Sequence, residues 1–285
     1  MNLRRYKNLV PDTPLHRHLE TLLRENGGQA TASAVCEQVL LLPRTDAEVA
    51  RALIAALVED DVRLRANDGI VEWVEPAVQE AWRACRRFAV VDVETTNGGR
   101  GEQRIMEIGL AIVEGGRIAH EWATLIDPGR PIPYWVQQLT GINNETVRGA
   151  PPFAEIGPRL LEEVEDAVLV GHHARFDVGC LNSELSRWRG KHLANPYLCT
   201  AELARRFLPG SENYRLQTLS QWLRLTHERP HRAGSDARAT AELFCRLLQT
   251  PELAWSDYLR PRLAPLPAAS ARAEKIAETN SPESS

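Results

Sequence analysis

The sequence contains no run approaching the roughly 20 apolar residues that cross a bilayer, and its opening segment MNLRRYKNLV carries no long apolar stretch. A membrane span is therefore not expected, and the expected setting is soluble and cytoplasmic. Cysteine is sparse. The five present, Cys36, Cys85, Cys180, Cys199 and Cys245, are scattered without a CxxC pair, which excludes both a disulfide framework and a zinc site. An excess of positive charge is missing as well. With 34 Lys and Arg against 38 Asp and Glu the net charge is -4, so no whole-surface attraction to nucleic acid exists and any such contact must be local or made through bound metal. No internal repeat is visible. What is present, 285 residues with 43% apolar and 25% charged side chains, is ordinary globular usage with room for one large domain or two modest ones.

Up to residue 82 three segments carry helical apolar spacing: 15–26, 31–42 and 45–60, with Thr31 and Thr45 placed as N-caps. VRLR and IVEWV follow, separated by Asn67-Asp68-Gly69, a strong hairpin signal. Three helices and a hairpin resemble a small winged-helix domain. Its third helix holds Asp46, Glu48, Glu59 and Asp60 against Arg51 alone, which favours protein docking or a structural role over groove reading.

From Arg86 the pattern becomes strand, strand, strand, helix, strand, helix, an α/β signature with a mixed sheet. Strands are expected over 87–94, 105–114 and 117–126, the last two joined through Glu114-Gly115-Gly116; a helix over 152–166 precedes a short strand at 167–171. After Pro251 the composition turns to Pro, Ala, Ser and Glu and reads as a flexible tail.

The first strand, FAVVDVETTN, places Asp92 and Glu94 where more valine is expected. Side chains alternate along a strand, so the two carboxylates share a face opposite Val91 and Val93. Two desolvated anions repel unless protons or a cation compensate, and an oxygen-only ligand set suits Mg²⁺ or Mn²⁺. Taken alone, the stretch reads more readily as a strand leaving the sheet through Thr95, Thr96, Asn97 and Gly98 into solvent. Two further acids follow. Asp177, in GHHARFDVGCLNSEL, opens a helix at the end of strand AVLVG and shares its face with Cys180, Leu181 and Glu184, although the helix dipole alone can satisfy it. Asp236, in HRAGSDARATAELFCRLL, opens another amphipathic helix, where a lone acid is most often a cap; His231, five residues earlier, is by itself a solvated loop histidine. All of these groups fall at element ends, where open sheets place their ligand sites.

DVETT, HHARFD and HRAGSD, in that order, resemble the three motifs of the DnaQ-like DEDDh 3′-5′ exonucleases, which include DNA polymerase III epsilon subunits. LTGI at 139–142 and GAPPF at 149–153 resemble family segments between the first two motifs, and the likeness spans residues 86 to 250. Arg232 stands where the sister DEDDy group carries tyrosine, which places the chain in the histidine branch. The resemblance implies a ribonuclease H-like mixed sheet flanked by helices, preceded by the winged-helix-like domain. The divisions are then 1–82, 83–250 and a 251–285 tail. It also implies two Mg²⁺ or Mn²⁺ ions held by Asp92, Glu94 and Asp236, with Asp177 acting directly or through water, His231 as general base, and Thr95 and Thr96 presented to the terminal nucleotide. His173 departs from the usual Asn of the second motif and falls against the substrate, and Asn97 departs from a usual Gly. The implied activity is release of 5′-mononucleotides from single-stranded DNA 3′ ends in proofreading or repair. A polymerase or repair protein is the implied partner, met through the N-terminal domain or the tail. The alternatives are an exoribonuclease in RNA turnover and a catalytically silent binding module.

Overall fold

Residues 6, 8–73, 87–96 and 103–250 are described in this computed structural model of the chain. They fall into two compact units, 9–73 in one and 87–250, with Tyr6 and Asn8, in the other.

The first unit runs β1 (Leu9–Pro11), α1 (Pro14–Glu25), β2 (Gln29–Thr31), α2 (Ala32–Gln38), α3 (Ala47–Val58), β3 (Leu64–Asn67) and β4 (Ile70–Trp73). Thr13 caps α1 and Thr31 caps α2, each hydroxyl accepting a backbone N–H three residues on. The expectation that Thr45 caps α3 is corrected. The cap is Asp46, whose carboxylate accepts the Glu48 and Val49 N–H groups, while the Thr45 hydroxyl donates to the Leu42 carbonyl. An ionised cap bonding two donors is the stronger end to a helix. Leu19, Leu23, Val35, Ile54 and Val71 close one core, and β3 and β4 pair around Asp68 and Gly69, both at positive φ. β2, which the sequence does not signal, adds a third strand beside β4.

The second unit is built on a five-stranded mixed sheet in the order β10-β8-β5-β6-β7. β5 (Arg87–Thr95), β6 (Ile105–Glu114) and β7 (Arg117–Leu125) form an antiparallel meander; β8 (Val168–Gly171) runs parallel to β5, and β10 (Tyr197–Cys199) parallel to β8. β6 is buried along nearly its whole length, as a central strand apolar but for Glu107 and the terminal Glu114 should be. The helices are α4 (Tyr134–Thr140), α5 (Phe153–Val164), α6 (Arg175–Arg189), α7 (Thr200–Phe207), α8 (Leu216–Leu223) and α9 (Ala233–Leu248), with the short strand β9 (Lys191–Leu193) after α6. Phe88 of β5 meets Phe244 of α9 edge-on at 4.9 Å, so the even-numbered positions of β5, Asp92 and Glu94 among them, face α9. α9 lies along β5, β6 and β7, while α5 and α6 pack together and against β5. Asn97, Cys85 and the 251–285 tail lie outside the described residues. Among the described residues no helix is long and apolar enough to cross a membrane.

Candidate active site

Three elements deliver the acids. β5 brings Asp92 and Glu94 to its carboxyl end, where the ladder with β6 shifts register between Glu94 and Thr95 and the strand leaves the sheet. α9 brings Asp236 in its first turn, and α6 brings Asp177 in its own. The structure joins Asp92, Glu94 and Asp236 into one group, with a carboxylate oxygen of each within 4.8 Å of the others. Asp177 stands beside that group. It is 4% exposed, accepts the Val93 N–H at 3.2 Å, and its charge acts on Asp92.

Two glycines permit this convergence. A Cβ on Gly109, which pairs with Asp92 across the β5–β6 ladder, would lie 2.0 Å from the Ala233 carbonyl oxygen, so only glycine lets α9 begin directly on β6. A Cβ on Gly171, the last residue of β8, would lie 2.9 Å from the Ala174 Cα and 3.2 Å from Asp177 Oδ2.

The electrostatics are those of gathered anions. Burial, then Asp177, Asp236 and Glu94, push the Asp92 carboxyl well above its usual range. Burial, then Asp236 and Glu107, push Glu94 up to about 8, against a small opposing pull from Arg232. Burial pushes Asp177 up to about 7, opposed by the Val93 N–H, and raises Asp236 against the hydrogen bond from His227. Gathered carboxyls whose pKa values burial and mutual repulsion raise, presented as a hard oxygen-only set, fit divalent Mg²⁺ or Mn²⁺. Cys180 beneath them offers no nucleophile, because burial and the Asp177 charge push its thiol up to about 12.

His231 is exposed and sits at φ +63°, its N–H donating to Asp236 Oδ2 at 3.1 Å. His173 is also exposed, at φ +76°, a left-handed conformation that Asn and His adopt more readily than most residues. Its ring meets that of His172 at 5.2 Å. His172 bridges the Thr200 hydroxyl and the Tyr214 carbonyl, both at 2.9 Å; burial, then His173, push it down to about 4, so it is neutral near pH 7. Thr95 is half-buried at the strand end. Thr96 turns inward at 1% exposure, its N–H donating to the Arg104 carbonyl and its hydroxyl accepting the Arg104 N–H.

Two neighbours, His227 and Glu107, are not read as site residues from the sequence. His227 holds Asp236 Oδ1 at 2.6 Å. Glu107, directly across the ladder from Glu94, binds Arg232 at 2.7 Å. An acid inside the otherwise apolar IMEIGLAIVE was the available signal for Glu107; none existed for His227, whose contact depends on how its loop folds.

The sequence profile of the exonuclease (RNase_T) family matches residues 89–244. The chain belongs to that family. Among exonuclease relatives, the 3′-5′ exonuclease DinG of Bacillus subtilis (strain 168) is 37% identical over 166 residues, 58% of this chain and 18% of its own. DNA polymerase III subunit epsilon of Aquifex aeolicus (strain VF5) is 36% identical over 162 residues, 57% of this chain and 80% of its own. DNA polymerase III PolC-type of Clostridium perfringens (strain 13 / Type A) is 38% identical over 157 residues, 11% of its own length. The chain thus spans most of the epsilon subunit and a small part of the other two. Among solved structures, Exonuclease X in complex with 5′ overhanging duplex DNA is 25% identical with a TM-score of 0.51, covering 62% of this chain and 99% of that one. The nuclease domain of 3′hExo, a DEDDh family member bound to rAMP, shares the fold at 16% identity and a TM-score of 0.50, covering 58% of this chain and 93% of that one.

Proposed function

We propose that the chain is a metal-dependent exonuclease that removes 5′-mononucleotides from the 3′ ends of single-stranded DNA. The convergence of Asp92, Glu94 and Asp236, with Asp177 alongside, carries this reading. Asp92, Glu94 and Asp236 are the residues that would hold two Mg²⁺ or Mn²⁺ ions, and Asp177, which accepts the Val93 N–H, would orient the site beside Asp92. Divalent ions held there would supply Lewis-acid chemistry, offsetting charge on the phosphate and making a water easier to deprotonate. His231, on an exposed loop whose backbone is fixed to Asp236, accepts the proton of the attacking water; imidazole is the side chain suited to that exchange near neutral pH. The bond from phosphorus to the 3′ oxygen breaks, freeing a 5′-mononucleotide and leaving a new 3′ hydroxyl. Thr95 and His173 flank the place of the terminal nucleotide, and Thr96 shapes the strand end that carries it.

Relatives named as DNA polymerase III subunits support DNA as the substrate and a polymerase or repair protein as the partner. The division into 1–82, 83–250 and 251–285 belongs to the same proposal, as does a winged-helix character for the first unit. The outer face of α3 offers Glu48, Val49, Ala52, Ala55 and Ala56 with Arg51 as its cation, which supports docking to protein rather than to a DNA groove. An exoribonuclease is the second reading, supported by the rAMP carried by the DEDDh neighbour. The test is digestion of matched 5′-labelled DNA and RNA strands at one salt concentration with Mn²⁺. Stepwise shortening faster on DNA supports the proposal; faster shortening of RNA favours the second reading; a label that never shortens refutes both.

A further inference from the structure

We propose that Glu107 is a positioning residue for His231, acting through Arg232; the inference rests on the exonuclease reading above and adds a part to it. Glu107 is 4% exposed in a strand of apolar residues, where a lone carboxylate is costly unless compensated. Arg232 supplies that compensation as a fork, its Nε donating to Oε1 and Oε2 at 3.2 and 3.0 Å and its Nη2 to Oε1 at 2.7 Å. The Ala233 N–H adds a fourth bond, to Oε2 at 2.9 Å. The carboxylate therefore sits end-on against the first turn of α9 while gripping the residue next to His231.

Stability alone is a weak reason to keep such a pair, since well-packed apolar side chains often serve a buried position as well or better. Placement supplies a stronger one. His231 is exposed, so packing does not fix its ring; its direction follows from its backbone, which holds a left-handed φ of +63°, uncommon for a non-glycine residue though His tolerates it better than most, with its neighbours bonded to keep it there. Those neighbours are tied on both sides. The His231 N–H is bonded to Asp236, the Arg229 N–H to the Ser235 hydroxyl at 3.0 Å, and Arg232 to Glu107. The first turn of α9 is itself pressed on β6 at Gly109, so the remaining freedom lies in the loop before it, and the fork on Glu107 removes it. Glu107 is also opposite Glu94 in the ladder, so one strand pair sets both the metal-holding acid and the loop of the base.

The experiment is a double-mutant cycle on a 5′-labelled oligonucleotide with Mn²⁺, together with hydrogen exchange of the segment 227–233. Glu107→Gln, and Arg232→Lys, which keeps the charge without the planar fork, are each made with His231 and with His231→Ala. Each is expected to lower kcat about 10-fold to 100-fold when His231 is present, with KM and Mn²⁺ affinity by calorimetry near those of the parent. With His231→Ala in place neither slows the reaction further, and exchange over 227–233 quickens in both. Equal slowing in the two backgrounds, a matching loss of Mn²⁺ affinity, or unchanged exchange overturns the inference while leaving the exonuclease reading intact. A parent chain that removes no nucleotide sinks that reading instead, and unchanged exchange then disposes of the clamp by itself. Should Glu107→Gln not fold, Arg232→Lys decides.

Discussion

Glu94 and Glu107 stand directly opposite each other across the β5–β6 ladder, and the chain treats them differently. Glu107 is paired with Arg232 and the start of α9; Glu94 is pushed up to about 8 by burial, then by Asp236, Glu107 and Asp177. One acid is finished within the fold, and the other is left for a ligand.

That contrast sets the pH response of the metal-free chain. Acids whose native pKa lies above the ordinary value of about 4 keep protons that the unfolded chain releases, so their contribution is fully present below about pH 4 and drains as pH rises toward about 8. Mn²⁺ replaces those protons, so its benefit grows with pH. Thermal melts from pH 5.5 to 8 should give a falling Tm without metal. At a hundredfold excess over its Kd, Mn²⁺ should add about 2.7 kcal/mol. A metal-free Tm that climbs over this range contradicts the description of the site.

His231→Ala removes the proposed base and leaves the acids where they are. The chemical step should slow by about 10² to 10⁴ while Mn²⁺ and strand binding remain near parental, as single-turnover kinetics and calorimetry will register. Collapse of binding assigns His231 a different role.

His227 meets Asp236 at 2.6 Å from a side chain 7% exposed, so it sets the direction of a carboxylate proposed to hold metal. His227→Ala should weaken Mn²⁺ by about 10-fold to 100-fold, and His227→Gln, which retains a donor, by less. Equal affinities for the parent and both variants remove His227 from the site.

Gly109→Ala inserts a Cβ 2.0 Å from a main-chain oxygen of α9, which no side-chain rotation relieves. α9 must move off β6 and carry Asp236 away from Asp92. We expect about 1–3 kcal/mol lost in denaturant unfolding and Mn²⁺ affinity lowered in the same protein. A variant with both quantities unchanged shows that the close seat of α9 does not set the site.

The sequence-legible parts of the fold are those with a sustained period. β5, β6 and β7 end within a residue or so of where alternation places them, and α5, α6 and α9 follow their apolar faces. β2, β9 and β10, at three residues each, are too short to express any period, and α4, α7 and α8 lie in stretches where no periodicity was read. In the site, the acids were visible because each interrupts an apolar pattern or opens a helix. Glu107 carried the same mark, an acid inside a buried strand, and was passed over because nothing local pairs it with an arginine 125 positions away. His227 and the inward turn of Thr96 are consequences of tertiary packing, and no local rule encodes them.

In the proposed function Asp92, Glu94 and Asp236 share divalent ions with the scissile phosphate. Anomalous diffraction from crystals soaked with Mn²⁺ and a nucleoside 5′-monophosphate measures this directly. Two manganese peaks bounded by those carboxylates are expected, one or both touching the phosphate, and both are lost in Asp92→Asn. Manganese bound elsewhere, with these three side chains bare, contradicts it.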